Sequence, residues 1–189
     1  MTILNFDPAA ALILIDLQKG IVSLPTCGPS DQVVARAAAL AGTFRQLGLP
    51  VILVNVVGGA PGRTQIGHSG GELPSDFAEF VPQLELQPTD IVISKTRWGA
   101  FYGTELDRSL RAQGVTQVVL AGIATSMGVE STARAAHEHG YNVTLVTDAM
   151  TDLDSSRHLN SVERVFPMLG ELGTTQEVID RLNQVVKIG

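Results

Sequence analysis

Two charged residues and one glycine-bearing turn each follow a short apolar run in this chain. Asp16 closes the first run, in Ile15-Asp16-Leu17-Gln18-Lys19-Gly20. Lys95 closes a later one, in Ser94-Lys95-Thr96-Arg97-Trp98-Gly99-Ala100-Phe101. A third run enters Gly122-Ile123-Ala124-Thr125-Ser126-Met127-Gly128 and then a helical segment. In an open parallel sheet, ligands bind beyond the carboxyl ends of the strands, so these features are expected to converge on one pocket. A carboxyl group and an ammonium meeting there would form a proton-transferring acid or base with its electrostatic partner.

Each residue taken alone also has an ordinary explanation. A strand-terminal Asp is often a turn or helix cap, and a lone Lys is usually a solvated charge. Trp98 and Phe101 could be core or loop anchors. Cys27 sits in a Pro/Gly/Ser loop and reads as an inert thiol. Ser126 stands where Ser normally caps a helix, and it is not expected to act as a nucleophile. His137 and His139 lie two apart on one helix and so face different ways, which excludes a helical metal pair.

The elements that must position these residues alternate. Apolar runs at 11–15, 51–56, 91–94, 118–121 and 143–146 read as strands, and their near-continuous hydrophobicity belongs to a parallel sheet covered on both faces. Helices are predicted over 31–46 with Gly48 as its stop, from a capping box at Thr104–Asp107 to Gly114, from the turn at Gly128 to His139, and from Thr174 onward. The fold class expected is α/β, a doubly wound three-layer sandwich with a mostly parallel central sheet, in one domain over 1–189. The stretch 58–74, rich in Gly and Pro, reads as a lid or a mobile insertion.

Composition narrows the partners. With 44% hydrophobic and 17% charged residues the chain has the make-up of a globular protein with a large core. A net charge of −6, with thirteen scattered Lys and Arg, argues against nucleic acid and anionic membranes. The single cysteine excludes an internal disulfide and fits a reducing compartment. No targeting segment is read at the N-terminus, and the run ending at Asp16 is too short to span a bilayer. The expectation is a cytoplasmic homo-oligomer acting on a small molecule.

In order along the chain, these segments resemble the isochorismatase-like, or cysteine hydrolase, superfamily. Asp16 and Gln18 match its Asp-x-Gln motif. Lys95, Arg97, Gly99, Ala100 and Phe101 match its Lys-x-Arg-x-(Ser/Gly)-Ala-Phe motif. Val129 to Arg134 reproduce the Val-Glu-Ser-Thr-Ala-Arg that follows its strand-to-helix elbow, and Asp148-Ala149 and Glu163-Arg164-Val165-Phe166 also look familial. The resemblance implies a catalytic set of Asp16, Lys95 and Gly128. It implies an oxyanion hole from the Ala124 and Gly128 N–H groups, a cis peptide between Ile123 and Ala124, and substrate contacts from Gln18, Trp98 and Phe101.

Most members carry a nucleophilic cysteine where this chain has Gly128, which has no side chain to attack with. True isochorismatases resemble this chain in that glycine and cleave a vinyl ether without a covalent intermediate, an Asp acting as general acid on the enol carbon. Such an acid needs a raised pKa, which burial would supply and a charged Lys95 would oppose. The Ile-Ala-Thr opening of the elbow looks more like the amide-cleaving branches, and Gly58 and Gly59 stand where isochorismatases place a Gln. The metal cluster of the nicotinamidase branch has no counterpart beyond a lone His68, so neither a metal nor any other cofactor is expected. A thiol introduced at 128 is expected to fit beside Asp16 and Lys95. The competing expectation is a catalytically silent member that binds a metabolite or serves only as an oligomer.

Overall fold

The computed structural model describes residues 5–65 and 73–185. Six strands form one parallel sheet: β1 (Ala10–Ile15), β2 (Val51–Val56), β3 (Ile91–Lys95), β4 (Gln117–Ile123), β5 (Asn142–Thr151) and β6 (Glu171–Gly173), in the order β3-β2-β1-β4-β5-β6. The order reverses direction at the β1–β4 pair, which places the switch point of a doubly wound sheet between them. Among the described residues six α-helices accompany it: α1 (Lys19–Val22), α2 (Ser30–Gln46), α3 (Leu106–Ala112), α4 (Glu130–Glu138), α5 (Ser155–Asn160) and α6 (Thr175–Val185).

The two-residue period of β1 divides the core. Ala11, Ile13 and Ile15 pack on one face with Leu106 and Leu110 of α3 and Ala133 and Ala136 of α4. Ala10, Leu12 and Leu14 pack on the other with Leu40 and Phe44 of α2 and Val178 and Leu182 of α6. Every residue of β1 is fully buried, which is why it reads as a continuous apolar run rather than an alternating one. Helix ends follow local chemistry. Thr174 and Glu177 form a reciprocal capping box at α6, and Leu106 N–H donates to Thr104 Oγ1 at the start of α3.

The strands depart from the sequence expectation in two places. β6 has only three residues, too few to show a period. β5 runs on from the expected end at Val146 to Thr151, after a register irregularity opposite Leu120–Gly122, so its carboxyl end is Thr151 and the next residue is Asp152.

Gly122 holds this edge together. Its φ is 131°, and a Cβ there would collide with the backbone of Ile15 on the neighbouring strand. Gly122→Ala is therefore expected to destabilise the protein by about 3 kcal/mol or more, read as a lowered denaturation midpoint at unchanged slope.

Candidate active site

β1, β3 and β4 all end at the carboxyl edge of the sheet, with β2 between β3 and β1, and the three sequence features come together there. Asp16 leaves β1 with φ 54°, a left-handed conformation that Asp tolerates better than most residues and that is enriched at functional sites. Its N–H still donates to Val54 O at 2.8 Å, so the break in the strand begins at the side chain itself. Lys95 Nζ donates to Asp16 Oδ2 at 2.7 Å, to Trp98 O at 2.9 Å and to Arg97 O at 3.2 Å. All three ammonium hydrogens are thus used. The loop after β3 turns back over its own last residue to supply the two carbonyls.

The pair is buried: the side chains are 8% and 1% exposed for Asp16 and Lys95. Burial raises the Asp16 pKa from 3.8 to about 6, against the opposing charge and hydrogen bond of Lys95. Of the two effects, desolvation wins. Asp16 Oδ1 has no hydrogen-bond partner and is buried.

The elbow closes the site from the β4 side. The Ile123–Ala124 peptide is cis, as the resemblance implies, and a π-helical turn over Thr125–Val129 leads into α4. Gly128 is buried within this turn. A Cβ on it would lie 2.8 Å from Ile15 Cγ2, 3.0 Å from Asp16 Oδ2 and 3.6 Å from Lys95 Nζ. A side chain at 128 would therefore begin beside Asp16 and Lys95, with Ile15 and the carboxylate so close that one of them would have to move.

Asp16, Lys95, Trp98, Ala124, Met127 and Gly128 line a cavity of about 210 Å³, closed further by Gly58, Gly59, Arg97 and Leu153. The walls are largely apolar, which is the source of the desolvation. A larger cavity of about 660 Å³ lies at the opposite, amino edge, near Gln117, Asn142 and Glu171, and holds none of Asp16, Lys95 and the elbow residues at the carboxyl edge.

Two residues expected to bind substrate stand elsewhere. Gln18 is fully buried, its Nε2 donating to Val56 O and Phe77 O and its Oε1 accepting from Val56 N–H. It straps the end of β2 to the 73–80 segment and does not line the cavity. Phe101 is 8% exposed, stacks on the His139 ring with centroids 5.0 Å apart, and belongs to the core under α3 and α4. An apolar residue six positions past a strand end had room to turn inward, and it does. Trp98 does line the cavity and is 60% exposed.

Sequence reasoning missed three supporting residues. Asp152 is fully buried. Its Oδ2 accepts the Ser126 N–H at 2.6 Å and its Oδ1 the Leu153 N–H at 2.8 Å, while its carbonyl accepts Cys27 N–H. It therefore ties the elbow to the loops bearing Leu153 and Cys27. Thr132 Oγ1 donates to Gly128 O and accepts Ala100 N–H, joining the elbow helix to the loop after β3. His158 Nδ1 pairs with Thr125 Oγ1 at 2.8 Å, and burial holds its pKa below the ordinary imidazole value. Asp152 is itself a strand-terminal carboxylate, and the correct end of β5 would have drawn attention to it.

His68 and the 66–72 part of the expected lid lie outside the described residues. Among the described residues no group of three or more His, Cys, Asp or Glu is placed to hold a metal ion. No helix among them is long and apolar enough to cross a membrane. Cys27 is exposed.

A sequence model described as the Isochorismatase domain matches residues 10–177. The chain is 42% identical to an isochorismatase family protein, YwoC, of Bacillus subtilis (strain 168), over 96% of this chain and 99% of that one. It is 28% identical to a maleamate amidohydrolase of Pseudomonas putida, over 96% and 91% of the two chains. Among solved structures, an isochorismatase family protein from Burkholderia thailandensis superposes with a TM-score of 0.90 at 41% identity, covering 96% of this chain and 98% of that one.

The contact distances around Gly128 generate a prediction. Gly128→Ala should cost about 1–3 kcal/mol, the usual penalty of overpacking a filled position. The check is equilibrium denaturation of the variant beside the parent chain.

Proposed function

The chain belongs to the isochorismatase family of hydrolases, and on that premise we propose that it hydrolyses a small metabolite without a covalent enzyme intermediate, Asp16 acting as general acid and Lys95 as its electrostatic partner. The observation that carries this reading is the Asp16 carboxyl, buried, pushed up to about 6 and in contact with the position where Gly128 offers no nucleophile. A carboxyl with a pKa near 6 is partly protonated at the pH of a cell and can give up a proton readily.

The reaction that suits such an acid is enol-ether cleavage. The Asp16 proton passes to the enol carbon and leaves an oxocarbenium ion. Water adds to that ion and returns a proton to the carboxylate, and the hemiketal so formed separates into ketone and alcohol. Gly128 marks the place where relatives of the cysteine type carry their thiol. The Ala124 and Gly128 backbone, lining the same cavity, is assigned to any oxygen that gains negative charge. Trp98 forms the outer wall against the substrate.

A second reading has Asp16 as a general base that activates water toward an amide. The likeness to a maleamate amidohydrolase and the Ile-Ala-Thr elbow favour it. Loss of all catalysis is the weaker alternative, because Asp16 and Lys95 keep a close geometry in which every Lys95 ammonium hydrogen has an acceptor. The family match over 10–177 supports one domain across the chain; the single cysteine supports a cytoplasmic location, and the proposal takes the protein to be a homo-oligomer acting on a small molecule.

The two reactions have opposite pH dependence. An acid must be protonated, so kcat/KM for isochorismate as an enol ether should fall as pH rises through about 6. A base must be ionised, so kcat/KM for maleamate as an amide should rise over the same range. Asp16→Asn should lower either rate by at least about 100-fold. Lys95→Met removes the charge that lowers the Asp16 pKa, and should move the midpoint above 6. Turnover of neither substrate, or turnover indifferent to Asp16→Asn, would end the proposal.

A further inference from the structure

Among the described residues, two buried side-chain polar atoms have no hydrogen-bond partner, Asp16 Oδ1 and Ser126 Oγ. They lie in different cavities. Asp16 lines the 210 Å³ cavity, whereas Ser126 lines a neighbouring one of about 400 Å³ with Glu130, Ser156, Arg157 and Asn160. Trp98 and Met127 belong to the walls of both. Buried polar groups are nearly always paired, and an orphan in a cavity wall is a place where a ligand supplies the missing partner.

We propose that the two cavities are the halves of one binding site for a two-ended substrate. The labile group lies against Asp16 and Gly128, and a carboxylate tail crosses the Trp98–Met127 ridge to Ser126 and Arg157. This rests on the reading of the Asp16 cavity as the active site and adds the class of substrate to it.

Charge and exposure select the tail. Glu130 is the carboxylate in the second cavity, and it is already engaged: Oε1 pairs with Arg134 at 3.0 Å and Oε2 accepts Ser161 Oγ at 2.6 Å. Arg157 has a looser partner, Asp154 at 3.9 Å, whose Oδ1 already accepts Ser156 Oγ and the Arg157 N–H. The Arg157 side chain is 53% exposed, which leaves its planar donors open to a carboxylate that can accept two of them at once. Ser126 Oγ would add a third donor. The ridge suits what crosses it, since Trp98 offers an aromatic face and Met127 an adaptable thioether.

Trp98 is the only tryptophan in the chain, so its fluorescence reports binding directly. The probes are saturated ethers, which keep the shape of the proposed substrate but cannot be turned over: methoxyacetate, 3-methoxypropionate, 4-methoxybutyrate and 5-methoxypentanoate, with butyl methyl ether as the tail-less control. Affinity should rise at least tenfold along the acid series as the chain becomes long enough to pass the ridge. Arg157→Gln should abolish that gain while leaving butyl methyl ether unchanged, and Ser126→Ala should weaken the best acid about fivefold. Asp16→Asn should weaken every probe, the control included. Binding without length dependence, or a length dependence that survives Arg157→Gln, overturns the second half of the site. If Asp16→Asn still weakens all probes in that case, the active-site reading stands. Binding indifferent to both substitutions overturns both.

Discussion

A buried carboxyl facing a buried ammonium sets the terms for the rest of this structure. Taking two charges out of water is costly, and their attraction repays it only where the remaining hydrogen-bonding capacity is filled. Lys95 meets that condition, with three acceptors for three hydrogens. Asp16 does not, because Oδ1 has no partner. The imbalance falls on the acid, and its pKa rises despite the cation beside it. The apolar walls that make the cavity a place for substrate are thus the same walls that make Asp16 an acid.

Close approach of backbone is the second requirement. The edge where β1 and β4 end admits the pair only because Gly122 lets β4 lie against Ile15 and Gly128 lets the elbow come down onto Asp16. The elbow is held from behind by Asp152 on the Ser126 N–H and by Thr132 on the Gly128 carbonyl. The first tie is part-buried at 2.6 Å and the second buried at 2.7 Å, and together they fix the glycine in position.

Much of this was legible in the residues. Continuous apolar runs gave the central strands, and the rule that ligands lie beyond strand carboxyl ends brought Asp16, Lys95 and the elbow together. Asp152 was hidden because the apolar run of β5 ends at Val146 and its pairing with β4 is interrupted there, resuming only at Met150 and Thr151 opposite Gly122 and Ile123. Gln18 and Phe101 were misplaced for a different reason. Motif membership says that a residue type is needed, but only packing decides whether it faces the ligand or the backbone behind it. Gln18 spends its amide on Val56 and Phe77, and Phe101 finds His139 and Tyr141. The tightness around Gly128 depends on where Ile15 Cγ2 lies, which no spacing in the sequence encodes.

The balance between burial and the Lys95 charge can be read directly on the carboxyl group. Carbon-13 NMR of selectively labelled aspartate, with Asp16 assigned by comparison with Asp16→Asn, follows its titration in the intact protein without any substrate. The expected midpoint is about 6, on the raised side of the ordinary aspartate value of 3.8. A midpoint at or below 4 would show that the ammonium outweighs burial, and Asp16 would then be a permanently ionised partner of Lys95 rather than the acid of the reaction.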